Sequence, residues 1–354
     1  MAWLDHSTRR VDDFSIGLPT DYSERSEHMK RSISYSGLLI MLMVLIIPPA
    51  GNTAEMTKVI VGTTMSNETL FPYHIAVKNG YFEKEGLTME IKTFVAGPPL
   101  MMSMANGELN VNIGTGYPGM LQAAAQGVDA KILLSMMKGS APVVAGAHIK
   151  TFKDLDGKVV GTPGLGTLQN TLLNIDAKEY GIKFKKLVHG KITDLPVFLE
   201  KGEIDAFSSW EWVAAETVYR VKGAHYVLKW PVIKNCECIA MGAYGKFYQE
   251  NPDVVKKFMR AYLKGVKFYV DNRKDMPAFL AKMFDRPEQI VKMAMENDAV
   301  EDPEINIPSV KLMVEDALEA GRIKKEAVPD IDAFLKKNID QTFLKELKQE
   351  VGLK

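Results

Sequence analysis

The sequence predicts an α/β protein of two similar domains, and three observations carry that reading. Strand-like apolar runs alternate with helix-like runs from Lys58 to Tyr244, the pattern of crossover helices joining mostly parallel strands. One plan occurs twice: "MANGELNVNIGTGYPG" from Met104 and "LEKGEIDAFSSWEWVA" from Leu199. Each has a helix end, Gly-Glu, a short strand, a polar or aromatic turn and a second helix. Repeats this far apart suit two domains rather than a solenoid. The length of 354 residues gives room for both.

The elements follow in order. "KVIVGT" reads as a buried strand, "FPYHIAVKNG" as a helix closed by Gly80 and "LTMEIKTFV" as an alternating strand. "PPLMMSMANG" is helical, "LNVNIGTG" is a strand, and "PGMLQAAAQG" is a helix opened by Pro118 and closed by Gly127. "DAKILLSMM" and "APVVAGAH" are strands. "DGKVVGTPGLGT" is a strand followed by a glycine-rich turn into the helix "LQNTLLNIDAKEYG". Then come strand "FKKLVHG", helix "LPVFLEKG", strand "IDAFSS", helix "WEWVAAETVYRV" and strand "HYVLK". Past Tyr244 the pattern is all helical.

Composition excludes some classes. With 44 basic and 44 acidic residues the net charge is zero, which disfavours nucleic acid and acidic membranes as partners. The N-terminus reads as processing rather than fold. Residues 1–28 are polar and irregular, an extension or a mis-called start. Met29-Lys30-Arg31, the apolar run Gly37 to Ile47 and the small residues up to Ala54 form the three parts of a secretory signal. The run is too short for a membrane span. Cleavage is expected near Ala54, with Ala50 the alternative, and no cysteine nearby offers a lipid anchor.

The glycine-rich turn at Asp156–Thr167 departs from two nucleotide motifs. Gly166 is followed by Thr167 and Leu168, not Lys-Ser/Thr, and Gln169 stands where a dinucleotide fingerprint needs glycine. What remains is a helix N-terminus suited to an anion or polar group, or a turn capped by Thr167. Cys236 and Cys238 are the two cysteines. In a strand their Cα atoms would stand about 6.6 Å apart, at the limit of disulfide geometry. Two small hydrophobes in a buried strand is the simpler reading. No cofactor or metal site is expected.

Five blocks occur in the order of a known family: "PYHIAVKNGYFEKEGLTMEI", "GPPLMMSMANGELNVNIGTGYPGMLQAAAQG", "FKDLDGKVVGTPGLGT", "GEIDAFSSWEW" and "FYQENPDVVKKFMRAYLKGVKFYVDN". Over roughly residues 57–300 the chain resembles the substrate-binding proteins of bacterial ABC importers, in the subgroup of nitrate, sulfonate, taurine and thiamin-pyrimidine binders. The resemblance implies a type II periplasmic binding protein fold with two lobes, two hinge crossovers and extra C-terminal helices. The crossovers would fall near Val143–His148 and Val232–Met241. Lobe one would comprise 57–148 and 234–354, and lobe two 149–233. The protein would be a periplasmic monomer that closes on a small molecule and delivers it to an inner-membrane permease.

Carried over by position, the pocket would use Thr63, Thr64 and Asn67 after the first strand. Thr115, Gly116 and Tyr117 follow the Gly-Glu-Leu-Asn strand, Gly166 and Thr167 come from the glycine-rich turn, and Trp210 and Glu211 from the aromatic turn. Many relatives read Trp-Glu-Pro at that turn; this chain has Trp212 third. Each residue has a plainer reading as turn, packing or helix-start residue. These turns hold few charges and no arginine, which disfavours a multiply charged anion. A monoanion held by backbone N–H groups, or a neutral to cationic compound held by Trp210, Tyr117 and Glu211, remains open. The rival reading is an enzyme resembling thiamin-pyrimidine synthases. It lacks support: Leu70 stands where their histidine is expected, and Cys236-Glu237-Cys238 is not a cysteine-rich iron motif.

Overall fold

A computed structural model describes residues 55–64 and 69–353. The signal-like segment, the residues before it and Asn67 lie outside the described residues. Among the described residues eleven strands form two sheets. In the first, β1 (Thr57–Thr64) pairs in parallel with β2 (Leu87–Phe94) and β3 (Val111–Asn112). β10 (Glu237–Tyr244) runs antiparallel to β3 and β4 (Ala130–Gly139), and β11 (Asp298–Ala299) antiparallel to β4. The order across the sheet is β11-β4-β10-β3-β1-β2.

The second sheet has the order β7-β6-β8-β5-β9. β6 (Val159–Thr162) lies parallel to β7 (Lys186–His189) and β8 (Ala206–Ser208). β5 (Val143–Ala145) is antiparallel to β8 and β9 (His225–Leu228). Both sheets are therefore mixed, not mostly parallel as alternation suggested. The reason is connectivity: β5 and β10 enter their sheets from the other sheet and not through a crossover helix, so no right-handed βαβ unit fixes their direction.

The chain leaves the first sheet at Gly139 and joins the second at Val143, ahead of the expected Val143–His148 crossover. The passage is tight. Gly139 has φ +84°, and a Cβ there would lie 2.5 Å from the Asn297 carbonyl oxygen and 2.6 Å from the Trp230 ring, so only glycine fits. Ser140 follows with φ 54°.

Helices cover both sheets. On the first, α1 (Phe71–Lys78), α3 (Gly97–Ala105) and α4 (Tyr117–Ala125) come from the N-terminal half, with Pro at an early position of each. The long α9 (Pro252–Asp271) buries Val255, Phe258, Met259, Tyr262, Leu263 and Val266, an i, i+3, i+4 stripe. With α11 (Glu288–Asn297) and α12 (Ile307–Glu319) it completes one large core. The all-helical reading past Tyr244 missed only β11, a two-residue strand.

The second sheet carries two smaller cores. They divide along β5, where Val143 and Ala145 face one side and Val144 the other, the two-residue period of a strand. On it pack α5 (Leu168–Tyr180), α6 (Leu195–Glu200) and α7 (Glu211–Arg220). Cys236 and Cys238 are buried free thiols, and burial raises both well above the ordinary thiol range. No described helix is long and apolar enough to cross a membrane.

Candidate functional site

Several of the expected residues, at the ends of β1 and β3 and in the glycine-rich and aromatic turns, come together at the seam where the two sheet regions meet. Parallel pairing of β1 and β3 brings their ends together, and the Thr64 hydroxyl donates to the Gly114 carbonyl at 3.2 Å. A Cβ on Gly114 would stand 2.6–2.7 Å from the backbone of Thr63 and Thr64, so this close approach also requires glycine. Asn112 Oδ1 accepts from the backbone N–H of Gly114 and Thr115 at 2.8 and 3.1 Å, which sets the turn. Thr63 and Gly116 are half-buried at the seam, and Thr64 and Thr115 are buried.

The glycine-rich turn meets this group from the other region. Gly116 faces Leu168, the first residue of α5, and Gly166 faces the Gln122 side chain of α4. Thr167 is the N-cap of α5: its hydroxyl donates to Gly164 O at 2.7 Å and accepts from Asn170 N–H at 3.3 Å. That hydroxyl is occupied by the fold. The turn histidine His189 is likewise engaged, with Thr162 Oγ1 at 2.9 Å.

Tyr117 points away from the seam. Its ring is fully buried in the first core, and its hydroxyl faces Glu237 and Ser135. Burial, with the Glu237 charge beside it, raises that phenol well above its ordinary range. Helix packing turns it inward as the first residue of α4.

Trp210 is half-buried and packs on the first core from the second region, and α7 begins at Glu211 despite the absent proline. Glu211 is fully buried. Its Oε1 accepts from Asn297 Nδ2 at 2.6 Å and its Oε2 from the Tyr226 hydroxyl at 3.0 Å. Burial is the main force raising its pKa, followed by repulsion from Asp298.

Asp298 is buried, and neither carboxylate oxygen has a hydrogen-bond partner. The hydroxyls of Ser140 and Thr69 lie close enough to favour its charged form without completing a bond. Burial pushes its pKa up to about 8.

Sequence reasoning missed several residues here. Gln169 and Asn170 lie fully buried in the first turn of α5, and Gln169 Nε2 donates to the Ser140 carbonyl at 3.4 Å. Trp212 is buried in the first turn of α7. Its ring meets Phe71 at 5.7 Å and Phe284 at 5.8 Å edge-on, with the Arg286 guanidinium 4.9 Å over its face. Trp212 thus joins α7 to the first core. Available signals were the Gln-Asn pair directly after a cap and the polar break "MENDAV" inside a helical run.

Thr115 Oγ1, Ser140 Oγ, Ser209 Oγ, Gln169 Oε1 and both Asp298 oxygens are buried without hydrogen-bond partners. So many in one seam is unusual, since buried polar groups are ordinarily satisfied. A cavity of about 420 Å³ lies elsewhere, around His148, Leu199, Lys201 and Asp205. None of the expected site residues lines it.

Two sheets joined by two crossings, with polar strand-end turns opposed across a seam, define the periplasmic binding protein class. Solved structures share this fold. The Escherichia coli periplasmic aliphatic sulphonate binding protein SsuA matches with TM-score 0.65 at 16% identity, over 76% of this chain and 94% of that one. The periplasmic nitrate-binding protein NrtA of Synechocystis PCC 6803 matches with TM-score 0.66 at 14% identity, over 84% of this chain and 89% of that one. A Bacillus subtilis (strain 168) protein provisionally named as aliphatic sulfonates-binding is 24% identical over 337 residues, 89% of this chain and 97% of its own length. The profile described as "NMT1/THI5 like" matches residues 67–275, more than half of the chain. The chain belongs to that family.

Proposed function

We propose that this protein is the extracytoplasmic substrate-binding component of an ABC importer, closing two lobes on a small solute and delivering it to a membrane permease. The observation that carries the reading is the seam of buried polar groups without partners, contributed by opposed strand-end turns of both sheets. A solute there would satisfy those groups in a low-dielectric site. The similarity to binding proteins along nearly the whole chain supports it over a synthase-like enzyme.

The lobes follow the sheets: roughly 57–139 with 237–354, and 143–228. Of the carried-over residues within the described part, Thr63, Thr64, Thr115, Gly116, Gly166, Trp210 and Glu211 line the pocket. Thr167 contributes through its backbone, and Tyr117 braces the turn from behind. The exported form begins near Glu55, works in the periplasm as a monomer and performs no chemistry on its ligand.

A thermal-shift screen over sulfonates, taurine, nitrate, pyrimidine-like bases and amines tests the reading. A ligand at 100 times its Kd stabilises by about 2.7 kcal/mol. Small-angle scattering with that ligand should show a smaller radius of gyration. Confirmed binding with an unchanged radius would count against lobe closure.

A further inference from the structure

Charge and hydrogen-bond inventory narrow the ligand class, on the footing of the substrate-binding reading above. Near Asp298 the unpartnered atoms are chiefly acceptors: Asp298 Oδ1 and Oδ2, Asn297 Oδ1 and Gln169 Oε1. The amide orientations are set by their nitrogens, since Asn297 Nδ2 donates to Glu211 and Gln169 Nε2 to Ser140 O. Ser140 and Ser209 add hydroxyls that can serve either way.

Open donors are present too, on the side-chain amides of Asn170 and Gln122, so charge balance decides the ligand class. Among the described residues no cation is directed at the carboxylate pair. Lys229 is the cation that reaches Glu211 electrostatically, but it is half-exposed and bound to Glu296 at 3.0 Å. Arg286 stacks on Trp212 and pairs with Glu216. Arg273 stacks on Tyr269 and bonds the Met295 carbonyl at 3.3 Å.

Two buried carboxyls could admit a sulfonate or nitrate only by staying protonated, whereas a cation lets them ionise and uses their acceptor oxygens. No three His, Cys, Asp or Glu side chains among the described residues converge to hold a metal ion. We infer that the solute carries a cationic nitrogen with N–H donors, of the ammonium, amidinium or guanidinium kind, held between the carboxylates of Glu211 and Asp298. Trp210, half-buried at the start of α7, supplies an aromatic wall beside that charge. Asn297 and Tyr226 position the Glu211 carboxylate by bonding one oxygen each.

The carboxylate pair also couples binding to protons. Burial keeps both acids above their ordinary range, and repulsion from Asp298 adds to it at Glu211, so the empty site retains a proton near neutral pH. A cation favours the charged forms and displaces that proton. Affinity should therefore rise with pH up to about 8. The other titratable groups facing the pair, Tyr226, Tyr269 and Cys238, are raised by burial and stay neutral, while Lys229 pairs with Glu296 and Arg286 with Glu216.

Calorimetric titration with agmatine, 1,4-diaminobutane, methanesulfonate, taurine and nitrate tests this, with native mass spectrometry for any co-purified solute. A nitrogen cation should bind, releasing protons in buffers of differing ionisation heat. Asp298→Asn should weaken it at least about 30-fold without lowering the melting temperature of the unliganded protein, and Glu211→Gln should weaken it comparably. Binding of methanesulfonate or nitrate with rejection of the cations would overturn the charge assignment while leaving solute binding standing. Cation binding unaffected by Asp298→Asn would overturn it too. No binding of either sign, and no solute released on denaturation, would overturn the substrate-binding reading itself.

Discussion

Glu237 and Asp298 lie on β10 and β11, the strands that flank β4 in the first sheet, and both are buried. Glu237 is surrounded by donors. Ser135 Oγ donates to Oε2 at 2.5 Å, the Asn306 N–H to Oε1 at 2.7 Å, and Lys138 Nζ stands 3.8 Å from Oε1. Lys138 is itself held by Asp302 and by the Glu304 carbonyl at 2.7 Å. Asp298 has only the hydroxyls of Ser140 and Thr69 nearby, and neither completes a bond to it. The difference teaches how to separate structure from site: a buried acid completed by its own chain braces the fold, and one left open reserves its bonds for something that arrives.

The largest expected effect tests the completed cluster. Lys138→Met would leave Glu237 and Asp302 without their cation, and breaking a buried pair from one side costs about 3–5 kcal/mol. The melting temperature should fall by roughly 10 °C. A loss under about 1 kcal/mol would mean that the cluster is no more braced than the Asp298 site.

A second test sets the clusters side by side through pH. Burial raises Asp176 and Glu237 to about 7 and Asp298 to about 8, against about 4 for an unfolded carboxyl. Between those values the folded state binds more protons than the unfolded state. Stability should thus fall as pH rises from about 4 to about 8 and level off above. Asp205 and Asp340, held below the usual range, act oppositely, with their contribution lost as pH falls below about 4. Urea unfolding at several pH values measures the slope. In Asp298→Asn the upper part of the decline, toward pH 8, should flatten while the part near pH 7 remains. An unchanged profile would sink the assignment of that step to Asp298.

Most of the fold was legible because local periodicity carries it. The runs from "KVIVGT" to "HYVLK" correspond to strands and helices in the places expected, since amphipathic spacing is a property of neighbours in sequence. Strand direction was not legible: β5 and β10 gain theirs from a passage between sheets, which no local pattern records. The same limit applies to the candidate site. The turns at Thr63, Gly116, Gly166 and Trp210 stood out because each ends a strand or opens a helix. Ser140, Asn297 and Asp298 did not, because their meeting depends on the sharp passage at Gly139 and on a two-residue strand. Tyr117 was nominated from its place in a turn, but a helix start lets a side chain face either way, and this one faces the core.

Asp298→Asn in the unliganded protein sharpens the comparison from the open side. Removing a carboxyl that must take up a proton to be buried should stabilise at neutral pH by at least about 1 kcal/mol, within the range of common stabilising substitutions. Chemical denaturation against the parent measures it. A loss of more than about 1 kcal/mol would show that Asp298 is bonded as Glu237 is.

The smallest effect compares two threonines at opposed turns. Thr167 uses its hydroxyl twice as the cap of α5, whereas the Thr115 hydroxyl is buried without a partner. Thr167→Ala should cost about 1 kcal/mol, as helix caps do, and Thr167→Ser should restore most of it. Thr115→Val keeps the shape and removes a polar group that bonds to nothing, so it should change the stability of the unliganded protein by less than about 0.5 kcal/mol. Equal losses at both positions would mean that the Thr115 hydroxyl is satisfied by the fold, and it would then leave the group of atoms held open for a solute.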